Sequence, residues 1–366
     1  MTHVDAQTRK EQISIYAAAA VDRVRAELKF EPRRLRALRT ALFKKFLGVE
    51  AALAELPADV REEFRKRVEF HPLVVAEYRD SQLDGATKLV LRTYADYLIE
   101  SVIMRTGTGR VSLCVSSQVG CAAACGFCAT GQMGIAKNLS AAEILDQILL
   151  AGERMQAESR HVRNIVFMGM GEPFHNEAAV YEAVAALLAP EMFHHTPGRI
   201  LISTVGIPDA MVRCARRFPD VNLALSLHSV RQQVREQLIP LAAKYSLDEL
   251  RSAIAKINEI QNNTVMIEYL MLAGVNDSLD DARVLAAWLT GLDVHVNLIP
   301  YNPIDSAPHL RTTERPQRDA FAAILRAAGF VTTIRYSLGA DIAAACGQLV
   351  QRENLQIARQ QASSIA

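Results

Sequence analysis

The sequence predicts an α/β protein, a partial (β/α)6 barrel of the TIM type with a small helical accessory domain at its N-terminus. Two observations carry that prediction. From Val111 onward, short β-rich runs alternate with longer amphipathic ones, as strands alternate with helices in parallel barrels. The short runs also end in glycines, serines and other polar residues, and the C-terminal ends of the strands are where such barrels keep their chemistry.

Residues 1 to about 80 read as helical, with amphipathic candidates at Ile13 to Leu28, Leu35 to Phe46 and Ala58 to Val68. Within them Arg33, Arg34, Arg36, Arg39, Lys44 and Lys45 occupy a window, Pro32 to Val49, without an acidic residue. Such a run is either a solvated helix face or a surface for phosphates. Residues 81–106 form a β bridge, opened by Asp84-Gly85 and holding strands at Lys88 to Arg92 and Tyr97 to Met104. The core, 107–350, has candidate strands at Val111 to Ser116, Asn164 to Met168, Arg199 to Ser203, Asn222 to Leu227, Val265 to Leu272, Val294 to Ile299 and Thr332 to Ser337. Ser140-x-x-Glu143 and Ser246-x-x-Glu249 are capping boxes that start two of its helices. A C-terminal tail, 351–366, completes the chain.

With 366 residues, 50% of them hydrophobic, the chain can build one large core plus an accessory domain. A formal net charge of +1 argues against a globally basic nucleic-acid binder, so any RNA contact must come from local patches. Met1-Thr2-His3-Val4-Asp5 does not open a secretory signal, and no apolar stretch reaches bilayer length. The sequence therefore predicts a cytoplasmic protein with no membrane partner. In that compartment six cysteines point to metal or catalytic work rather than to a disulfide framework.

Cys121, Cys125 and Cys128 form a Cys-x3-Cys-x2-Cys run in the loop after the first core strand. Three thiolates so close together suit an iron-sulfur cluster, and a four-iron cluster held by three cysteines leaves one iron open to another ligand. The alternative is a zinc knot, which would need a fourth ligand. The nearest candidate is Cys114, and no histidine lies between Thr108 and Arg160. The other strand ends have plain readings beside functional ones. Gly169-Met170-Gly171-Glu172-Pro173 is either a strand-to-helix turn or a ligand loop whose glycines admit close approach. His228 and Asn302 alone would be structural residues.

In order along the chain, the motifs are Cys114-Val115-Ser116-Ser117-Gln118-Val119-Gly120-Cys121, Cys125, Cys128-Ala129-Thr130-Gly131, Phe167-Met168-Gly169-Met170-Gly171-Glu172-Pro173, Ser226-Leu227-His228 and Cys346-Gly347-Gln348-Leu349. Together they resemble the RlmN/Cfr family of radical S-adenosylmethionine RNA adenine methyltransferases. The resemblance runs from about Asp80 to Val350 and is much weaker before it.

The resemblance implies a radical S-adenosylmethionine barrel with one [4Fe-4S] cluster on Cys121, Cys125 and Cys128, and two S-adenosylmethionine molecules used per turnover. Gly171, Glu172, Ser203, Ser226, Leu227, His228 and Asn302 would line the cofactor site. Cys346 would be the S-methylcysteine intermediate, Cys114 the resolving thiol that forms a transient disulfide with it, and Glu100 the proton acceptor. The implied partners are 23S ribosomal RNA, with transfer RNA as a further substrate, a small electron-transfer protein as reductant, and a thiol reductant for the disulfide. Cys214 has no counterpart and reads as core.

Two stretches depart from the family pattern. Arg105-Thr106-Gly107-Thr108-Gly109-Arg110 is longer than the usual connection and lacks its proline. Arg335-Tyr336-Ser337-Leu338-Gly339-Ala340-Asp341 lacks the second basic residue and paired acids of the carbon-2 enzymes, and looks closer to the resistance branch acting on carbon 8. Three readings stay open at this point: carbon-2 methylation, carbon-8 methylation, and a radical enzyme with another substrate, the last giving no reason for Cys114 and Cys346.

Overall fold

The structure, a computed structural model, describes residues 12–349 together with Asn354 and Ile357. The rest of the C-terminal tail and the Met1-to-Asp5 stretch lie outside the described residues.

One ten-stranded sheet organises the chain, and its spatial order follows the sequence. The strands are β1 (Val74–Asp80), β2 (Ala86–Arg92), β3 (Leu98–Arg105), β4 (Val111–Cys114), β5 (Asn164–Phe167), β6 (Ile200–Thr204), β7 (Asn222–Ser226), β8 (Val265–Met271), β9 (Val294–Pro300) and β10 (Val331–Ile334). Pairing is antiparallel from β1 to β4 and parallel from β4 to β10. Long helices, Ala141–Ala157, Glu177–Leu188, Pro208–Arg217, Leu247–Ile260, Leu279–Leu289 and Arg315–Ala327, connect the parallel strands. Central strands such as β8 are buried on both faces, which is why they read as unbroken apolar runs. The expected α/β barrel architecture is present.

Both expected capping boxes form. A third, Ser278 with Asp281, starts Leu279–Leu289 and escaped the Ser-x-x-Glu pattern because aspartate stands in place of glutamate.

The N-terminal region differs in detail from its sequence reading. The first helix starts at Ala18 because Ile13–Ser14 pairs as a short parallel strand with Val68–Glu69. The helix Pro32–Arg39 continues as a π-helical turn, Thr40–Lys44. Arg39 leaves the basic face: it is buried, and its Nη2 donates to Ala18 O and to Asp22. Residues 74–80, expected to be helical, are β1; this edge strand is largely exposed on both faces, so it lacks the in-and-out alternation that marks a half-buried strand.

These helices share the barrel's hydrophobic core. Phe43 packs on Phe193 with ring centroids 4.9 Å apart. Phe46 packs over Gly152 in Ala141–Ala157, where an added Cβ would fall 2.2 Å from its ring. The buried Asp146 ties the joint together. It accepts from Tyr16 Oη at 2.9 Å and from Leu73 N at 2.9 Å, and His71 Nδ1 lies 2.8 Å away.

At the other end, residues 337–349 run back from β10 across the open side of the barrel. Gly339 N donates to Asp84 Oδ2 at 2.8 Å, Asp341 accepts from Ser81 Oγ and Gln82 N, and Lys88 Nζ donates to Ala343 O at 3.2 Å. Ala129 N donates to Gly347 O at 2.8 Å, which joins this strap to the three-cysteine loop. Among the described residues no helix is long and apolar enough to cross a membrane.

Candidate active site

A cavity opens at the C-terminal ends of the parallel strands, beneath the strap. Cys121, Cys125 and Cys128 form one wall of it. Their loop leaves the strand Gln118–Cys121, which pairs with Gly134–Asn138 in a separate two-stranded sheet. It is wound tightly. Ala124 adopts a positive φ of 55°, and a Cβ on Gly131 would lie 2.8 Å from Cys125 N. Burial pushes the Cys121 thiol up to about 12, helped by the charge of Glu172. It raises Cys125 as well, with Cys128 and Cys121 adding to the effect. The three thiols thus feel one another's charge in a shielded, soft-donor pocket, which fits an iron-sulfur cluster. Among the described residues no three His, Cys, Asp or Glu side chains are grouped as they would be around a single metal ion.

The opposite wall comes from the strand ends. Gly171 has φ 103°, and a Cβ there would meet the Gln118 side chain at 2.6 Å, so only glycine fits. Glu172 is buried, which raises its pKa, and its carboxylate accepts from Phe174 N and Val205 N. Ser203 and Ser226 both line the cavity and donate to Glu268 Oε2, at 2.7 and 3.3 Å. His228 also lines the cavity and takes φ 58°. Its Nδ1 lies 3.1 Å from Leu270 N and 3.1 Å from Glu268 O, between a backbone donor and a backbone acceptor. Burial first, then the neighbouring Arg235 charge, hold the His228 pKa down to about 3, so the ring is neutral. Phe127 meets it edge-on at 4.9 Å.

Cys114 and Cys346 line the same cavity, Cys114 at the end of β4 and Cys346 on the strap. Burial, then the charge of Cys346, push the Cys114 thiol up to about 12, while Arg335 pulls it down. Cys346 is exposed at the rim, yet enough protein surrounds its sulfur to raise it to about 11, again against the pull of Arg335. The structure therefore gathers most of the residues singled out in the sequence. Three stand apart from the lining. Leu227 is fully buried and contributes its N–H to Glu268 O. Asn302 Nδ2 donates to Ser337 Oγ at 3.0 Å and to Cys346 O at 3.1 Å, so it holds the strap. Glu100 is fully buried with Oε1 3.0 Å from Lys88 Nζ. Cys214 is buried in the core, as expected.

Sequence reasoning missed Glu268. It stands in mid-strand between Ile267 and Tyr269, reaches the cavity, and has Oε1 3.6 Å from Arg335 Nη1 without a hydrogen-bond partner. A carboxylate inside an apolar strand was the available signal.

The barrel and its three-thiol loop define a radical S-adenosylmethionine enzyme. Residues 115–285 match the model of the radical SAM superfamily. The chain is 52% identical over 348 residues to a probable RNA methyltransferase of Rhodopirellula baltica, covering 95% of this chain and 90% of that one. It is 40% identical over 297 residues to a probable dual-specificity RNA methyltransferase RlmN of Thermus thermophilus, covering 81% of this chain and 83% of that one. A radical SAM methyltransferase from Sphaerobacter thermophilus superposes with a TM-score of 0.87 at 37% identity, over 92% of this chain and 99% of that one. The chain belongs to the RlmN/Cfr family of radical S-adenosylmethionine RNA methyltransferases. It is an enzyme that uses S-adenosylmethionine, and its family implies a [4Fe-4S] cluster.

Proposed function

We propose that this enzyme methylates a ring carbon of adenosine, carbon 2 of an adenosine in the peptidyl-transferase region of 23S ribosomal RNA, through a methylcysteine on Cys346. The observation that carries the reading is that Cys114 and Cys346 share one cavity with the three-cysteine loop. The Thermus relative is named a dual-specificity RNA methyltransferase, and for this enzyme transfer RNA is the proposed second substrate.

Cys121, Cys125 and Cys128 would hold the cluster, with Gly171, Glu172, Ser203, Ser226, Leu227, His228 and Asn302 positioning S-adenosylmethionine directly or through the backbone. When bound, cluster and cofactor supply one electron, a methyl group and a means of removing a hydrogen atom. Cys346 would take the methyl group from one S-adenosylmethionine as a thioether, with S-adenosylhomocysteine as the leaving group, and would then present that S-methyl carbon for removal of one hydrogen atom. The carbon then bonds to the electrophilic ring position, tethering the RNA to the protein. The adduct gives up one electron, which would return to the cluster, and the ring hydrogen leaves as a proton to a base, for which Glu100 is the proposed acceptor. Cys114, as thiolate, attacks the Cys346 sulfur; the carbon–sulfur bond pair stays with the carbon, which takes up a proton to become the methyl group, and the methylated RNA is released. A cellular thiol reductant reopens the disulfide, and a small electron-transfer protein in the cytoplasm supplies the electron.

Nucleosides from 23S and transfer RNA of a strain lacking the gene and of one expressing it provide the test, read by mass spectrometry. Loss and recovery of 2-methyladenosine supports the proposal. A gained 8-methyladenosine moves the site to carbon 8, and no change in either RNA removes the substrate.

A further inference from the structure

Tyr336 is 60% exposed, yet it lines the active-site cavity. The other exposed tyrosines, Tyr78 and Tyr94, do not reach it. Tyr78 lies under Arg154, and Tyr94 Oη bonds Glu69 and His71 O. The Tyr336 ring is braced from behind. The Arg318 guanidinium lies 5.5 Å from its centroid, and Arg318 Nη2 donates to Tyr336 Oη at 3.3 Å. Arg318 itself is buried and anchored in the helix Arg315–Ala327, so the brace is fixed to the barrel wall.

The ring is also tied to the reacting thiol. Asn302 Nδ2 bonds both Ser337 Oγ, next in sequence to Tyr336, and Cys346 O, so one amide fixes the distance between the tyrosine's segment and the methyl-carrying cysteine. A flat, exposed, supported ring on the rim of the cavity, at the root of the strap that carries Cys346, suits one task. Enzymes that act on a base take it out of the stack and hold it against an aromatic face.

We propose that Tyr336 is the stacking platform for the adenine that receives the methyl group, and so a substrate-positioning residue of this enzyme. The inference rests on the adenosine methyltransferase reading above. The phenol supplies the π-face, and its hydroxyl serves only to hold Arg318. Stacking is tolerant of sequence, so the platform fixes the position and orientation of the base while its identity is read elsewhere.

The test uses anaerobically reconstituted full-length enzyme with ribosomal and transfer RNA from a strain lacking the gene. Four quantities are read: methyladenosine formed, its KM for RNA, iron content, and S-methylation of Cys346 by protein mass spectrometry. The Tyr336→Ala variant should keep its iron and its Cys346 methylation while kcat/KM for RNA falls roughly tenfold or more, the size of one lost base stack, mainly through KM. Tyr336→Phe should stay within about threefold of wild type, on the premise that the ring face does the stacking. Unchanged kcat/KM in the alanine variant overturns the platform, as does a phenylalanine variant as impaired as the alanine one. Loss of iron or of Cys346 methylation in both variants also overturns it, by making the role structural. If wild type methylates Cys346 but neither RNA, the methyltransferase reading itself fails and takes the platform with it.

Discussion

Two segments reach onto the barrel from opposite ends of the chain, and they are attached by different physics. The N-terminal helices are joined by apolar packing, Phe43 on Phe193 and Phe46 over Gly152, around the single buried carboxylate of Asp146. The strap 337–349 sets Ala344 and Leu349 into the core but is pinned along its length by polar contacts: Gly339 to Asp84, Asp341 to Ser81 and Gln82, Asn302 to Ser337 and Cys346. The apolar joint is costly to open because its area and its buried polar groups must return to water. The polar strap exchanges its bonds with solvent at little net cost. On the proposed mechanism the strap would bring Cys346 to a substrate and then to Cys114, a task better served by the second kind of attachment.

The largest effect is expected on the strap. Cys346→Ala should abolish methylated adenosine in purified RNA assays while circular dichroism and thermal unfolding stay as in wild type, because the residue is exposed and carries chemistry rather than packing. The next falls on the opposite joint. Asp146→Ala leaves Tyr16 Oη and Leu73 N without their acceptor and should destabilise the chain by about 2–4 kcal/mol in denaturant unfolding. Asn302→Ala should cost under about 1 kcal/mol in the same measurement. It should nevertheless lower methyl transfer several-fold and speed iodoacetamide labelling of Cys346. Equal destabilisation by the last two substitutions would erase the contrast between the attachments.

The smallest expected effect is a pH dependence of the N-terminal joint. Burial pulls the His71 pKa down, but the bond to Asp146 and the charges of Asp146, Glu153 and Glu69 outweigh it, leaving His71 raised above 6.5. The folded state therefore holds a proton that the unfolded chain releases. This stabilisation is fully present below 6.5 and is lost as pH rises through the raised folded value. Burial raises Asp146 too, which acts in the same direction from lower pH. Unfolding curves across that range should show the loss, and His71→Gln should flatten it.

Legibility in the sequence followed locality. The thiol loop was plain because Cys121, Cys125 and Cys128 fall within one short loop, and the core strands and capping boxes because their signals lie within a few residues. Cys114 and Cys346 were singled out only through resemblance, since their meeting depends on the strap's path across the barrel. Glu268, Arg39 and the edge strand β1 were misread or missed for a related reason. Each is defined by what packs against it from distant sequence: the serines of β6 and β7, the carbonyl of Ala18, and the neighbouring strand β2.

The central claim is that Cys346 delivers the methyl carbon and Cys114 releases the product. It is tested most directly by expressing the Cys114→Ala variant, digesting the purified protein with nuclease and protease, and examining the Cys346 peptide by mass spectrometry. The account predicts an adenosine joined through one carbon to the Cys346 sulfur. A Cys346 peptide free of nucleoside, in a variant that still releases methylated RNA at the wild-type rate, would contradict it.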